Sequence, residues 1–316
     1  MTRGSPGPAR GRGKTGKESV MSHRPLPQSR AAVLAPPAGS WRWLALGGGL
    51  IAALAAGMVW AQDGVTVSHA YSNFGTPKYP ADFAHLDYVN PDAPKGGEIA
   101  TWAQGTFDSF NLYAFAGVAG SLSTIGSESM LTSAADDAYG VYCFMCTAME
   151  YPEDLSYVTF NMREGITFAD GTPVTAEDVK FSFELFLEQG IPEFRLVRST
   201  WIDEIVVEDE RTITFRFTDE APMRDRISFA GGTPVFSEAW FAETGYRLDE
   251  PTEEPLMSTG AYVLESFDYN RQIVYARNPD YWAEDLNWMV GRNNFDTIRV
   301  EYFADAAAGF EASRPA

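Results

Sequence analysis

The chain has 316 residues, a formal net charge of −19, and 45% hydrophobic and 14% aromatic residues. That is enough apolar material for one large or two modest cores. The acidic balance disfavours a phosphate backbone or an anionic lipid surface as partner, so no nucleic-acid function is expected.

Basic residues collect at the start, where residues 1–61 hold eight Lys/Arg and one acidic residue, Glu18. Residues 1–40 are rich in Gly, Pro, Ser and Arg without an apolar period, and are expected to be disordered or removed. Within them, Gly11 to Lys17 imitates a phosphate-binding loop, but Glu18 stands where Ser or Thr belongs and no strand precedes it, so nucleotide binding is not expected. Trp43 to Trp60 is an unbroken apolar and glycine run, and Ala61 offers a small residue before Gln62. This pattern predicts an export signal cleaved after Ala61. The run also reaches the lower range of a membrane span, but its glycines argue for the signal. Met21 is an alternative start. Neither cysteine follows the run, so a lipid-anchored cysteine is not expected, and the product should be free in a periplasm-like space.

Beyond Gln62 the chain alternates short strands and helices, a mixed α/β pattern. A short strand is predicted around Val65 to Ala70, and another from Glu98 to Ala103 entering a loop from Gly105 to Phe115. Ser121 to Leu131 is predicted as a helix. Tyr157 to Met162 reads as a strand returning over a Glu164-Gly165 turn to pair with Thr167-Phe168. Asp170-Gly171 is a strong turn, Pro173 extends the approach, and Thr175 stands as N-cap with Asp178 completing a capping box. Val179, Phe183, Phe186 and Leu187 then share one face of a docked helix. Ile202–Glu208 and Thr212–Phe217 read as a strand pair, Ser237–Thr244 as a short helix, Tyr262–Phe267 and Gln272–Arg277 as a hairpin, and Thr297–Phe303 as a strand.

The run Phe168-Ala-Asp-Gly-Thr-Pro-Val-Thr-Ala-Glu-Asp-Val-Lys-Phe-Ser182 resembles the signature of family 5 extracellular solute-binding proteins. Ser258-Thr-Gly-Ala-Tyr262 with Arg277-Asn-Pro-Asp-Tyr-Trp282 agrees with it. Tyr88-Val-Asn-Pro-Asp-Ala-Pro-Lys-Gly-Gly97, followed by Gly105-Thr-Phe-Asp-Ser109, is similar to the oligopeptide receptors of the microcin C-binding type. The resemblance implies an α/β, periplasmic binding protein-like (type II) N-terminal lobe with a mixed sheet and an inserted subdomain. Residues 62–125 and 218–303 would build the main sheet and 126–217 the insertion, within a lobe spanning 62–316. Phe310-Glu-Ala312 continues the family pattern and Ser313-Arg-Pro-Ala316 departs from it, as in a truncated or frameshifted product whose second lobe is missing. It implies a monomeric receptor that captures oligopeptides and delivers them to an ABC importer permease, without catalysis or cofactor.

Residue chemistry points the same way. His69 and His85 stand alone, with no acid at ligand spacing, so no metal site is expected. There is no nucleophile elbow and no zinc-protease helix. Cys143 and Cys146 have redox spacing without a strand–helix context, which favours a structural disulfide or a reduced buried pair over a catalytic one. The segment Phe110 to Ala119 is the candidate ligand loop. Its small residues let a ligand backbone approach, and by resemblance it pairs main chain with a peptide, a mode that recognises any peptide. Phe115, Gly117, Val118 and Ala119 are its candidate residues. Thr233, beside Gly232, is expected by resemblance on a loop facing the same cleft. The competing readings are a binding protein for another solute, such as a sugar or metal chelate, and a redox protein using Cys143 and Cys146.

Overall fold

The computed structural model describes residues 64–313. The export signal expected over Trp43–Ala61 and the Gly11–Lys17 motif lie outside the described residues. Among the described residues, no helix is long and apolar enough to cross a membrane.

In chain order the strands are β1 (Val65–Ser68), β2 (Ala70–Ser72), β3 (Glu98–Gln104), β4 (Leu131–Thr132), β5 (Gly140–Cys143), β6 (Cys146–Pro152) and β7 (Tyr157–Met162). Helices α1 (Ala176–Gln189) and α2 (Pro192–Trp201) follow, then strands β8 (Ile202–Asp209) and β9 (Thr212–Phe217). Helices α3 (Arg226–Gly231) and α4 (Glu238–Thr244) lead to β10 (Tyr262–Asp268), β11 (Gln272–Arg277), β12 (Thr297–Phe303) and α5 (Ala306–Ala312).

Among the described residues three sheets result, with orders β1-β6-β7-β9-β8, β10-β11-β12-β3 and β2-β5-β4. In the four-stranded sheet only β12 and β3 run parallel, from Thr297↔Glu98 to Phe303↔Gln104. The sheets do not divide the chain where the sequence division falls. β1 and β2, assigned with residues 62–125 to the main sheet, pair instead with β6 and β5 of the 126–217 segment. Adjacency explains this: β1 and β2 precede a Pro/Gly-punctuated connection to β3 long enough to cross between sheets.

α1 follows its local signals. Thr175 caps it in extended conformation, and the capping box with Asp178 is complete. Its buried face carries Val179, Phe183 and Phe186, and Phe183 lies against Phe215 and Phe229 at ring centroid distances of 5.5 and 5.7 Å. α2, which no sequence signal announced beyond Pro192, brings Arg198 over the same rings. Its guanidinium stands 4.3 Å from the Phe183 centroid, 5.0 Å from Phe186 and 5.4 Å from Phe229. Burial pushes its pKa down to about 10, and cation–π contact compensates part of that cost.

Two expectations are corrected. Ser121–Leu131 forms no helix. Successive turns close through Ser123, Ile125 and Ser127 N–H groups donating to Gly120, Leu122 and Thr124 carbonyls. Leu122 has a left-handed φ of 64°, which a helix cannot contain, and the serines compete locally for backbone partners. β7 does not pair with Thr167-Phe168 but lies between β6 and β9. Residues beyond the Gly165 turn close their own hairpin, with Val174 N–H donating to Ile166 O and a Thr167↔Pro173 bridge.

Candidate ligand loop

β3 and β12 end side by side, and Gly105 N–H donates to Phe303 O at 2.9 Å as the chain leaves the sheet. The loop that follows is held at its base by buried aromatics. Phe107 packs on Tyr302 (4.9 Å between centroids), and Phe110 packs on Phe267 (4.9 Å). Asn111, also buried, donates through Nδ2 to the carbonyls of Arg247 (3.2 Å), Leu248 (2.9 Å) and Glu250 (2.8 Å). Ser109 Oγ donates to Thr252 O, and Phe110 N–H donates to the same carbonyl. These contacts clamp one side of the loop to residues 247–252.

The neck is closed by Asp108. Its Oδ1 accepts from Val118 N–H at 2.6 Å, its N–H donates to Val118 O at 3.0 Å, and a parallel bridge joins Ser109 to Ala119. Above the neck the tip faces solvent: Phe115 is 64% and Val118 51% exposed. Among the described residues, no hydrogen bond engages the main chain of Phe115, Ala116 or Gly117. Gly117 has φ +84°, and a Cβ there would stand 3.0 Å from both Asp108 Oδ1 and Pro251 Cβ. Glycine is therefore required for the tip to turn this tightly.

The structure brings Phe115, Gly117, Val118 and Ala119 together on one loop, but distributes their roles. Val118 spends its main chain on the neck, and Ala119 on the bridge, leaving Phe115 to Gly117 open. Thr233 is not on this loop. It is buried, its Oγ1 has no hydrogen-bond partner, and the next residues pair with Ser129 and Glu128. No hydrogen bond or ring contact among the described residues joins it to the tip.

Beneath the loop a cavity of about 210 Å³ is walled by Phe110, Ser123, Ala169, Trp240, Ser258 and Tyr275, among others. In its wall Ala169 N–H donates to Ser258 O at 2.8 Å. This bond ties together two of the sequence blocks that stand some ninety positions apart. Cys143 and Cys146 are joined in a disulfide buried in the core, away from the loop in the β5–β6 connection. Among the described residues, no group of His, Cys, Asp and Glu is arranged to hold a metal ion.

Residues 141–314 match the family described as bacterial extracellular solute-binding proteins, family 5, middle region. The chain belongs to this family. It is 37% identical over 246 residues to the uncharacterized protein YejA of Escherichia coli, covering 78% of this chain and 40% of that one. It is 32% identical over 252 residues to the peptidoglycan-binding protein YepA of Agrobacterium fabrum, at 77% and 40% coverage. Among solved structures, the periplasmic binding protein DppA of Helicobacter pylori, in complex with the peptide STSA, superposes with a TM-score of 0.55 at 18% identity. That superposition covers 70% of this chain and 45% of DppA. The fold is thus that of the type II, family 5 binding proteins, and the chain spans about 40% of the length of the curated relatives it matches.

Sequence reasoning missed one group in the segment that follows the loop. Glu128, read as part of a helix, accepts from Trp282 Nε1 at 3.1 Å and from the Tyr281 hydroxyl. The only signal was the Tyr281-Trp282 pair in the second block, which carried no hint of its partner.

Proposed function

We infer that this chain acts in a periplasmic substrate-binding component of an ABC importer, capturing oligopeptides and presenting them to the membrane permease. The observation that carries the reading is the loop tip. Phe115 to Gly117 offer unpaired main chain beside exposed apolar side chains, at the end of two parallel strands. Main-chain pairing binds extended peptides irrespective of sequence, and neighbouring apolar surface adds affinity for side chains. Family 5 relatives place such a ligand in a cleft closed by domain movement, so capture requires binding without covalent chemistry. The disulfide is then a structural element.

The name of the Agrobacterium relative, a peptidoglycan-binding protein, favours peptidoglycan as one source of the ligand. Mass spectrometry of ligands co-purifying with the protein tests the class. Calorimetry against short peptides, sugars and metal chelates, on this chain and on a chimera extended with the remaining length of the YejA relative, tests the assignment. Peptide binding by the chimera that weakens on Phe115→Ala or Gly117→Val, and survives Cys143→Ser/Cys146→Ser, supports the reading. Saturable binding of a sugar or chelate in place of peptide overturns it.

A further inference from the structure

A second cavity, of about 530 Å³, adjoins the one beneath the ligand loop, sharing Ile125, Ser127 and Tyr262 with it, and is lined by none of the residues from Phe110 to Ala119. Residues 292–295, in its wall, come just before the start of β12. The ligand loop follows the end of β3, which runs parallel to β12. Those wall residues and the base of the loop are therefore at opposite ends of the same pair of strands, seven residues or roughly 23 Å apart at the usual rise. The volume falls within the roughly 300–1,000 Å³ of small-molecule sites.

Its lining has two characters. Leu131, Phe144 and Ile298 make an apolar wall, while Glu128 and Arg292 supply opposite charges. Those charges are not joined in an ion pair, although Arg292 is near enough to act on Glu128 electrostatically. The Glu128 carboxylate is fixed in place by Tyr281 and Trp282, each donating to a different oxygen. Among the described residues, the Arg292 guanidinium makes a single hydrogen bond, at 3.5 Å from Nη1 to Trp288 O. Asn294 shares the lining, and its Oδ1 is a buried acceptor without a donor. A carboxyl without a cationic partner and a guanidinium without an anionic one, beside an apolar wall, can be matched by a ligand that carries both charges.

We propose that this cavity is a second binding site, for a free apolar α-amino acid, whose ammonium group meets Glu128, whose carboxylate meets Arg292 and whose side chain lies on Leu131, Phe144 and Ile298. A zwitterion satisfies both charges at once, and a branched aliphatic side chain matches the wall. The site is independent of the oligopeptide reading, since it uses none of the residues of the ligand loop.

The test uses L-leucine and its two half-molecules, 3-methylbutylamine and 4-methylpentanoate, in calorimetric titrations of the 316-residue chain at pH 8.5, where Glu128 is ionised. The expected result is saturable binding of L-leucine and at least tenfold weaker binding of each half-molecule, one lost charge contact being worth about a factor of ten or more. Glu128→Gln and Arg292→Met should each weaken L-leucine by a similar factor while Phe115→Ala leaves it unchanged. The indole N–H resonance of Trp282 in the unsubstituted protein gives a readout that needs no variant, and should shift on adding L-leucine. Absence of saturable heat and of any indole shift overturns the proposal. So does L-leucine binding that Phe115→Ala abolishes and Glu128→Gln does not, which would place the amino acid in the ligand loop.

Discussion

The helix α1 and the segment from Gly105 to Thr132 are built on different principles. α1 announces itself: a turn dipeptide, a capping box and an apolar stripe lie within twenty consecutive residues, and each is realised in place. The loop segment has no helix and only the two-residue strand β4. It is held by partners far away in sequence: Asn111 by residues 247–250, Ser121 by Tyr275 and Tyr302, Glu128 by Tyr281 and Trp282. Local rules thus specify the scaffold, while the region that presents a ligand surface is specified by tertiary contact. Such segments are the ones able to carry open main chain, because their shape does not depend on pairing it.

The largest test of this contrast is aimed at the scaffold. Phe183 is fully buried between Phe215, Phe229 and the Arg198 guanidinium. Phe183→Ala removes the ring, leaves a cavity and strips Arg198 of its nearest aromatic face. The expected loss is about 4 kcal/mol, read from urea unfolding. A loss below about 1 kcal/mol would mean that α1 stands by its local signals and that packing is secondary.

The second test is aimed at the tertiary anchor. Burial raises the Glu128 pKa from the model-compound value to about 7, while hydrogen bonds from Tyr281, Trp282 and Thr259 and the Arg292 charge oppose the rise. A carboxyl with a raised folded pKa contributes stability that is fully present below its unfolded pKa and lost as pH rises through the folded value. Stability of the unsubstituted chain should therefore decline between about pH 4.5 and 7 by about 3 kcal/mol from this group, and then level off. Glu128→Gln removes that component of the slope. If the pH profiles of the two proteins superpose, Glu128 is not buried as described and the segment has some other anchor.

How much of this was legible follows from where the partners lie. The hairpin β10–β11, the pair β8–β9 and the helix α1 join residues within a few turns of chain, and alternation or spacing exposed them. The pairing of β7 was misread because its neighbours, β6 and β9, are chosen by the sheet and not by the nearest turn. The helix expected over Ser121–Leu131 failed because its residues are held by partners far along the chain, the Ser121 main chain by Tyr275 of β11 and Tyr302 of β12, and Glu128 by Tyr281. Gly260 illustrates the limit: a Cβ there would stand 2.7 Å from Gly126 Cα. Two glycines 134 positions apart meet backbone to backbone, and nothing local in either sequence block states that requirement. For the ligand loop, the type of residue was legible from resemblance, but the division between neck and tip was not. Val118 looked like its neighbours until Asp108 was seen to occupy both of its main-chain groups.

The finest test separates the local from the tertiary role of a single pair. Thr175 Oγ1 accepts from Asp178 N–H and donates to Asp178 Oδ2, and Thr175 N–H donates to the same Oδ2 at 2.9 Å. Those bonds are the capping box visible in the sequence. Asp178 has a further partner that is not: its Oδ1 accepts from Glu238 N–H at 3.0 Å, joining the start of α1 to the start of α4. Ser182 repeats the link one turn later, accepting from Phe236 N–H at 2.7 Å. Thr175→Ala removes only cap bonds, and should cost about 1 kcal/mol, the usual value of an N-cap side chain. Asp178→Ala removes its share of the cap and also leaves the Glu238 N–H without its acceptor, and should cost about 2 kcal/mol. The double variant decides which role dominates. If Asp178 acts mainly as a cap, the double variant loses little more than Asp178→Ala alone, because both changes break the same box. Equal losses from the two single variants would show that the bridge to α4 contributes nothing, and that α1 is bounded by local chemistry alone.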